Sequence, residues 1–145
     1  MLKKTITFTD YLGEQRKQDF YFNLSKAELL DMNYMTAGGM QGLLDDIMNS
    51  QDQKRIYELF KTIVLKAYGE KTPDGYRFVK SDALSEAFSQ TEAYSELMME
   101  FFTNEKAAAD FIMGIIPESL RDEAQKQAAK QGITGVVSGE PKPIE

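Results

Sequence analysis

The 145-residue chain has no cysteine, no histidine and no tryptophan. Each absence removes chemistry. Without Cys there is no disulfide framework, thiol nucleophile or Cys-based zinc site; without His there is no Ser-His-Asp triad and no imidazole ligand. Positive charge is also scarce, with 17 Lys+Arg against 23 Asp+Glu and a formal net charge of -6. The basic pairs Lys3-Lys4, Arg16-Lys17 and Lys54-Arg55 are short and have acidic neighbours. Nucleic acid is therefore not expected as a partner, because phosphate binding needs clustered cations. No apolar run approaches the roughly 20 residues that cross a bilayer. Lys3-Lys4 is followed by no apolar h-region, so neither a secretory signal nor a membrane partner is expected.

What is present fits one domain. Hydrophobic residues make up 42% and aromatics 11%, enough for a core at this length. In Lys4–Thr9, Ile6 and Phe8 alternate with threonines, and in Asp19–Leu24 the residues Phe20, Phe22 and Leu24 share one face. This period of two, with Gly13 in the segment between, predicts a β-hairpin over residues 1–24. Two strands are marginal alone, so the ribbon must pack on something.

At Ser25 the period becomes helical. Ser25-Lys-Ala-Glu28 is a capping box, with Leu24 and Leu29 placed as a hydrophobic staple, and the helix should run to about Met35. A second short helix is expected over Gln41–Asn49. A longer one runs from the N-cap Asp52 to Tyr68 with a stripe of Ile56, Leu59, Phe60, Ile63, Val64 and Ala67, and Gly69 as its terminator. Lys71–Gly75 reads as a turn and Tyr76–Lys80 as a short extended segment. Ser81 and Thr91 open two further helices, the second with Tyr94, Leu97, Met98, Phe101 and Phe102 as its inner face. Thr103 or Asn104 starts the last, with Ala108, Phe111, Ile112, Ile115 and Ile116 inward, and Pro117 interrupts it. Residues 118–145 contain no aromatic residue, and Leu120–Gln131 reads as a polar helix before a flexible, Gly- and Pro-punctuated tail. The expected fold class is α+β, mainly helical. An N-terminal β-hairpin packs on a bundle of five to six short helices (25–117), with a polar C-terminal tail (118–145).

Signals for catalysis are weak throughout. Asp45 and Asp46 are adjacent on a helix and point about 100° apart, so they do not share a site. Glu92, Glu96 and Glu100 line one helix face and read as its solvated side rather than a hard-metal site. Gly38-Gly-Met-Gln-Gly42 matches neither dinucleotide nor Walker spacing and connects two helices. No calcium-loop spacing precedes Asp74-Gly75. The chain is read as no enzyme, with no cofactor and no metal.

Signals for partner binding are stronger. Met32, Met35, Met40 and Met48 cluster around the double glycine, and methionine suits surfaces that repack around variable apolar partners. Tyr57, Leu65 and Tyr68 flank the main stripe of their helix, with Lys61 among them, and Met99 and Met113 lie off theirs. Several such apolar residues together mark self-association or partner capture. The candidate partner-binding residues are Met32, Met35, Met40, Met48, Tyr57, Leu65, Tyr68, Met98 and Met99.

Several stretches resemble the tail assembly chaperones of long-tailed phages and prophages of Gram-positive bacteria. They are Asp19–Leu29, Leu65–Lys71, Asp74–Phe78, Ser85–Leu97 and Ala107–Ile112, and the resemblance runs to about Pro117. It implies a non-enzymatic helper that binds the tape measure protein in the host cell cytoplasm. Such a helper promotes polymerisation of the major tail tube protein around the tape measure and is missing from the mature virion. It further implies a frameshifted longer form, and a homo-oligomer is a further expectation. Two rivals stand beside this reading: a structural tail or connector subunit retained in the virion, and a host-directed interaction protein.

Overall fold

The computed structural model describes residues 1–32, 52–119 and 121. Strands β1 (Leu2–Thr9) and β2 (Gln15–Phe22) form an antiparallel hairpin in which Leu2 faces Phe22 and Thr9 faces Gln15. Asp10 shapes its turn: one carboxylate oxygen accepts the backbone N–H groups of Leu12 and Glu14, each at 2.9 Å. Gly13 closes the turn at φ 85°, a left-handed conformation that side chains disfavour.

The capping box at Ser25 forms as its spacing requires. The Glu28 N–H donates to Ser25 Oγ at 3.2 Å, and the Ser25 N–H donates to Glu28 Oε1 at 2.9 Å. It starts the short helix α1 (Lys26–Asp31), and the staple residues Leu24 and Leu29 are both buried. Helix α2 (Gln53–Ala67) begins at its N-cap Asp52. The helix expected over Gln41–Asn49, the polar helix over Leu120–Gln131 and the tail from Gly132 lie outside the described residues, apart from Arg121.

The end of α2 departs from the sequence expectation. Gly69 is not a left-handed helix terminator but a residue of strand β3 (Tyr68–Lys71), which starts directly at the helix end. It sits opposite Tyr21 of β2. A Cβ there would meet Phe78 Cε2 at 2.7 Å and the Val79 carbonyl oxygen at 2.8 Å, so close approach explains the glycine. Strand β4 (Phe78–Val79) pairs with β3, which makes a four-stranded sheet in the order β1-β2-β3-β4. The sequence reading supplied only the first two strands and the extended segment. The missing link was a four-residue strand fused to a helix end.

Three helices complete the body: α3 (Asp82–Ser89), α4 (Glu92–Thr103) and α5 (Glu105–Ile115). Their N-caps are Ser81, Thr91 and Asn104, each accepting a backbone N–H with its side-chain oxygen. The expected α+β class, a hairpin on short helices, is the observed one.

The core is aromatic. Phe88 stacks on Tyr68 with ring centroids 4.3 Å apart, and also meets Phe20 and Phe22 at 5.3 and 5.7 Å. Phe22 continues to Phe111, and Phe111 to Phe101 at 4.7 Å. Backbone bonds fix the hairpin base: the Asn23 N–H donates to Ala67 O and the Leu24 N–H to Ile115 O, each at 2.8 Å. A partly buried ion pair joins α1 to the end of β4. Lys80 Nζ contacts both Glu28 oxygens at 2.8 and 2.7 Å and also donates to Asn23 O. Burial alone would raise the Glu28 carboxyl, but bonds from Lys80 and Ser25 hold it below its ordinary value. Burial, together with the charge of Lys66, lowers the Lys80 pKa despite the Glu28 carboxylate beside it.

Three expectations on helix faces are corrected. Phe102, placed on the inner face of α4, is 52% exposed, while Met113, read as off-stripe on α5, is 7% exposed and in the core. Leu65 is half-buried and packs against the core rather than standing free. Beyond Pro117 the chain still contributes to the body. Arg121 Nε donates to Met113 O at 2.8 Å and its guanidinium also reaches Ile116 O, satisfying carbonyls that the end of α5 leaves open.

Candidate interaction surface

Helix α2 and the α4–α5 corner face each other across a shallow apolar groove. Ile56, Tyr57 and Phe60 line one wall; Met98, Phe101 and Phe102 line the other, with Gln53 and Glu105 at the mouth. The hydrophobic stripe of α2 is wider than the core requires, so Phe60 turns inward while Tyr57 remains 38% exposed. On α4 the inward residues Leu97, Met98 and Phe101 leave Met99 60% and Phe102 52% exposed, one turn apart on the same side. Tyr57 and Phe102 meet edge to face at 6.3 Å across the groove.

The groove encloses about 80 Å³, well below the roughly 300 Å³ at which drug-sized ligand sites begin. Its chemistry is that of contact: exposed aromatic and thioether surface, with no cluster of three or more metal-ligating side chains among the described residues.

The predicted site residues divide among several places. Tyr57 and Met98 share this groove, Met98 as its nearly buried floor at 7% exposure, and Met99 lies beside Phe102. Leu65 borders a separate polar depression with Lys66, Lys80 and Ser85. Tyr68 lines a third groove, under the hairpin, and Met32 packs against the core. Met35, Met40 and Met48 lie outside the described residues. The apolar groove members missed by the sequence reading are Ile56, Phe60, Phe101, Phe102 and Ala108. All were assigned to inner faces; Phe60, Phe101 and Ala108 are buried, Ile56 packs partly buried against the core, and Phe102 is exposed.

The acidic face of α4 has a role that the pattern alone did not show. Glu100 pairs with Lys4 of β1 at 3.1 Å, and Glu92 accepts from the Tyr11 hydroxyl at 3.0 Å. Two of its three carboxylates therefore hold the hairpin down rather than facing only water.

A family model described as phage tail assembly chaperone matches residues 1–142. The match continues well past Pro117, where the resemblance visible by eye stops. No curated protein and no solved structure matches the chain. The chain belongs to the phage tail assembly chaperone family.

Proposed function

We propose that this member of the phage tail assembly chaperone family binds the tape measure protein through the α2–α4 groove and its rim. It keeps the tape measure soluble in the host cytoplasm, promotes polymerisation of tail tube protein around it, and is absent from the finished virion. The supporting observation is that Tyr57 and Phe102 stand exposed on an apolar groove, with Met99 exposed one turn from Phe102. A helical partner laid along such a groove buries apolar side chains at successive turns, which is how amphipathic segments are recognised. Exposed Met adapts to partners of varied sequence. The net charge of -6 keeps a partner coated by several copies in solution through mutual repulsion. The reading is of a protein that works by covering surface, without catalysis.

Co-expression with the cognate tape measure protein tests this. The expected result is a tape measure shifted from pellet to supernatant and co-purifying with this chain; unchanged solubility together with no co-purification contradicts it. Mass spectrometry of purified virions should find tube and tape measure peptides and none from this chain. Its presence there would favour a structural subunit instead.

A further inference from the structure

The sheet carries a second recognition element, unlike the α2–α4 groove. In β2 only Tyr21 and Phe22 pair with β3, while all eight residues pair with β1. The Asp10 N–H bonds to Glu14 O, and the Asn23 N–H bonds to Ala67 O. Those two bonds fix the alternation: even-numbered β2 residues bond to β1, and odd-numbered ones face the β3 side. Beyond Tyr21, β3 turns away to pair with β4. The backbone groups of Gln15, Lys17 and Asp19 are thus left as an open edge among the described residues, all three exposed.

This edge borders a groove rather than bare solvent. Beneath the projecting half of the hairpin lies a cavity of about 300 Å³, floored by Phe8, Phe20, Tyr68, Leu84 and Phe88. Its rim carries Asp10, Glu70 and Glu92 against a single cation, Arg16. Arg16 is already bound to Asp10 at 2.8 Å. Among the described residues Glu92 accepts only the neutral Tyr11 hydroxyl, and the Glu70 carboxylate has no cation. Among the described residues the outer edge of β1 is unpaired too, through Lys3, Thr5, Thr7 and Thr9, but its one charged residue is basic.

The geometry points to a strand-addition site: an extended segment of a partner protein joins the open edge at Gln15–Asp19. Its central residue is apolar and rests on the aromatic floor. Lys or Arg two residues to either side, on the same face of the strand, reaches the Glu70 and Glu92 carboxylates. Backbone bonding supplies the docking, the alternation of side chains supplies the register, and the acidic rim supplies the selection. This site is independent of the α2–α4 groove and of the tape measure reading.

The test uses the full chain, isotope-labelled, and a synthetic peptide, Thr-Lys-Thr-Val-Thr-Lys-Thr, with a control in which Glu replaces both Lys. The Lys peptide should slow amide exchange at Gln15, Lys17 and Asp19 by about tenfold or more at saturation. It should also shift the resonances of Glu70, Leu84 and Ala87, while the Glu peptide does neither. The charge reversal Glu70→Lys, on an exposed side chain, should weaken the Lys peptide about tenfold with the spectrum otherwise folded. Absence of protection at these amides, protection along β1 instead, equal binding of the two peptides, or full affinity in the Glu70→Lys protein would each overturn the proposal.

Discussion

Phe101 and Phe102 are consecutive residues of α4 with opposite surroundings. Phe101 lies inside, its ring 4.7 Å from Phe111 and 5.6 Å from Phe60, at 6% exposure. Phe102 stands at the groove mouth, half in water, with the Tyr57 ring as its aromatic contact. A helix turns about 100° per residue, so one position separates a core contact from a surface one. The comparison extends to the whole molecule. The interior from Phe20 to Phe111 holds the hairpin on the helices, whereas the surface of Tyr57, Met99 and Phe102 holds little of the fold and is available to a partner. Aromatic content alone does not distinguish these roles; position relative to the neighbouring helix does.

The largest expected effect lies inside. Phe22 is fully buried and meets Tyr68, Phe88 and Phe111. Phe22→Ala should cost about 3–5 kcal/mol in urea unfolding, by lost transfer energy and the cavity left behind. A cost near that of a surface change would erase the contrast drawn above.

The Lys80–Glu28 pair comes next. Lys80→Met keeps the stem but leaves the Glu28 carboxylate and Asn23 O without their ammonium donor. The expected loss is about 2 kcal/mol at neutral pH. Glu28 has a lowered folded pKa, so its contribution is complete above its ordinary value of 4.5 and is lost as pH falls through the folded value. Asp10 and Asp74 are lowered too, so it is the difference between parent and Lys80→Met on the acid limb that reports Glu28. Stability measured from neutral to acidic pH should fall less steeply in Lys80→Met; an unchanged acid limb would mean that the pair contributes nothing.

Smaller still is Tyr94, whose buried hydroxyl lies beside the Tyr57 phenol but outside hydrogen-bond geometry among the described residues. Burial, with the Tyr57 phenol beside it, pushes its phenol up to about 12. Tyr94→Phe removes a polar atom that folding strips of water, and should stabilise the chain by about 1 kcal/mol in thermal unfolding. Destabilisation would show that the hydroxyl is satisfied after all. The smallest effect on folding belongs to the outer surface: Met99→Gln with Phe102→Gln should move stability by no more than about 0.5 kcal/mol.

Much of this was legible in the chain itself. The Ser25–Glu28 box, the N-caps Asp52, Ser81 and Thr91, the hairpin and the inward face of α5 follow from local chemistry, and each forms where its residues require. What stayed hidden depends on contacts distant in sequence. Gly69 resembles a helix terminator until Tyr21 and Phe78 are placed around it. Phe102 belongs to an inner stripe by spacing, yet it stands exposed against Tyr57 at the groove. Arg121 looks like part of a polar tail until the open carbonyls at the end of α5 come within reach. Of the candidate site, Tyr57 and Met99 were visible as apolar residues beside their stripes, but that Tyr57 meets Phe102 across a groove, with Met99 one turn from Phe102, required the packing.

The central claim is that the outer aromatic and thioether surface captures the tape measure while the inner one only folds the chain. Co-expression of the tape measure with the Met99→Gln, Phe102→Gln double variant tests it most directly, with the unfolding transition of the variant measured in parallel. The account predicts a variant that unfolds like the parent, yet leaves the tape measure in the pellet and fails to co-purify with it. A variant equally stable and equally able to hold the tape measure in solution would contradict it.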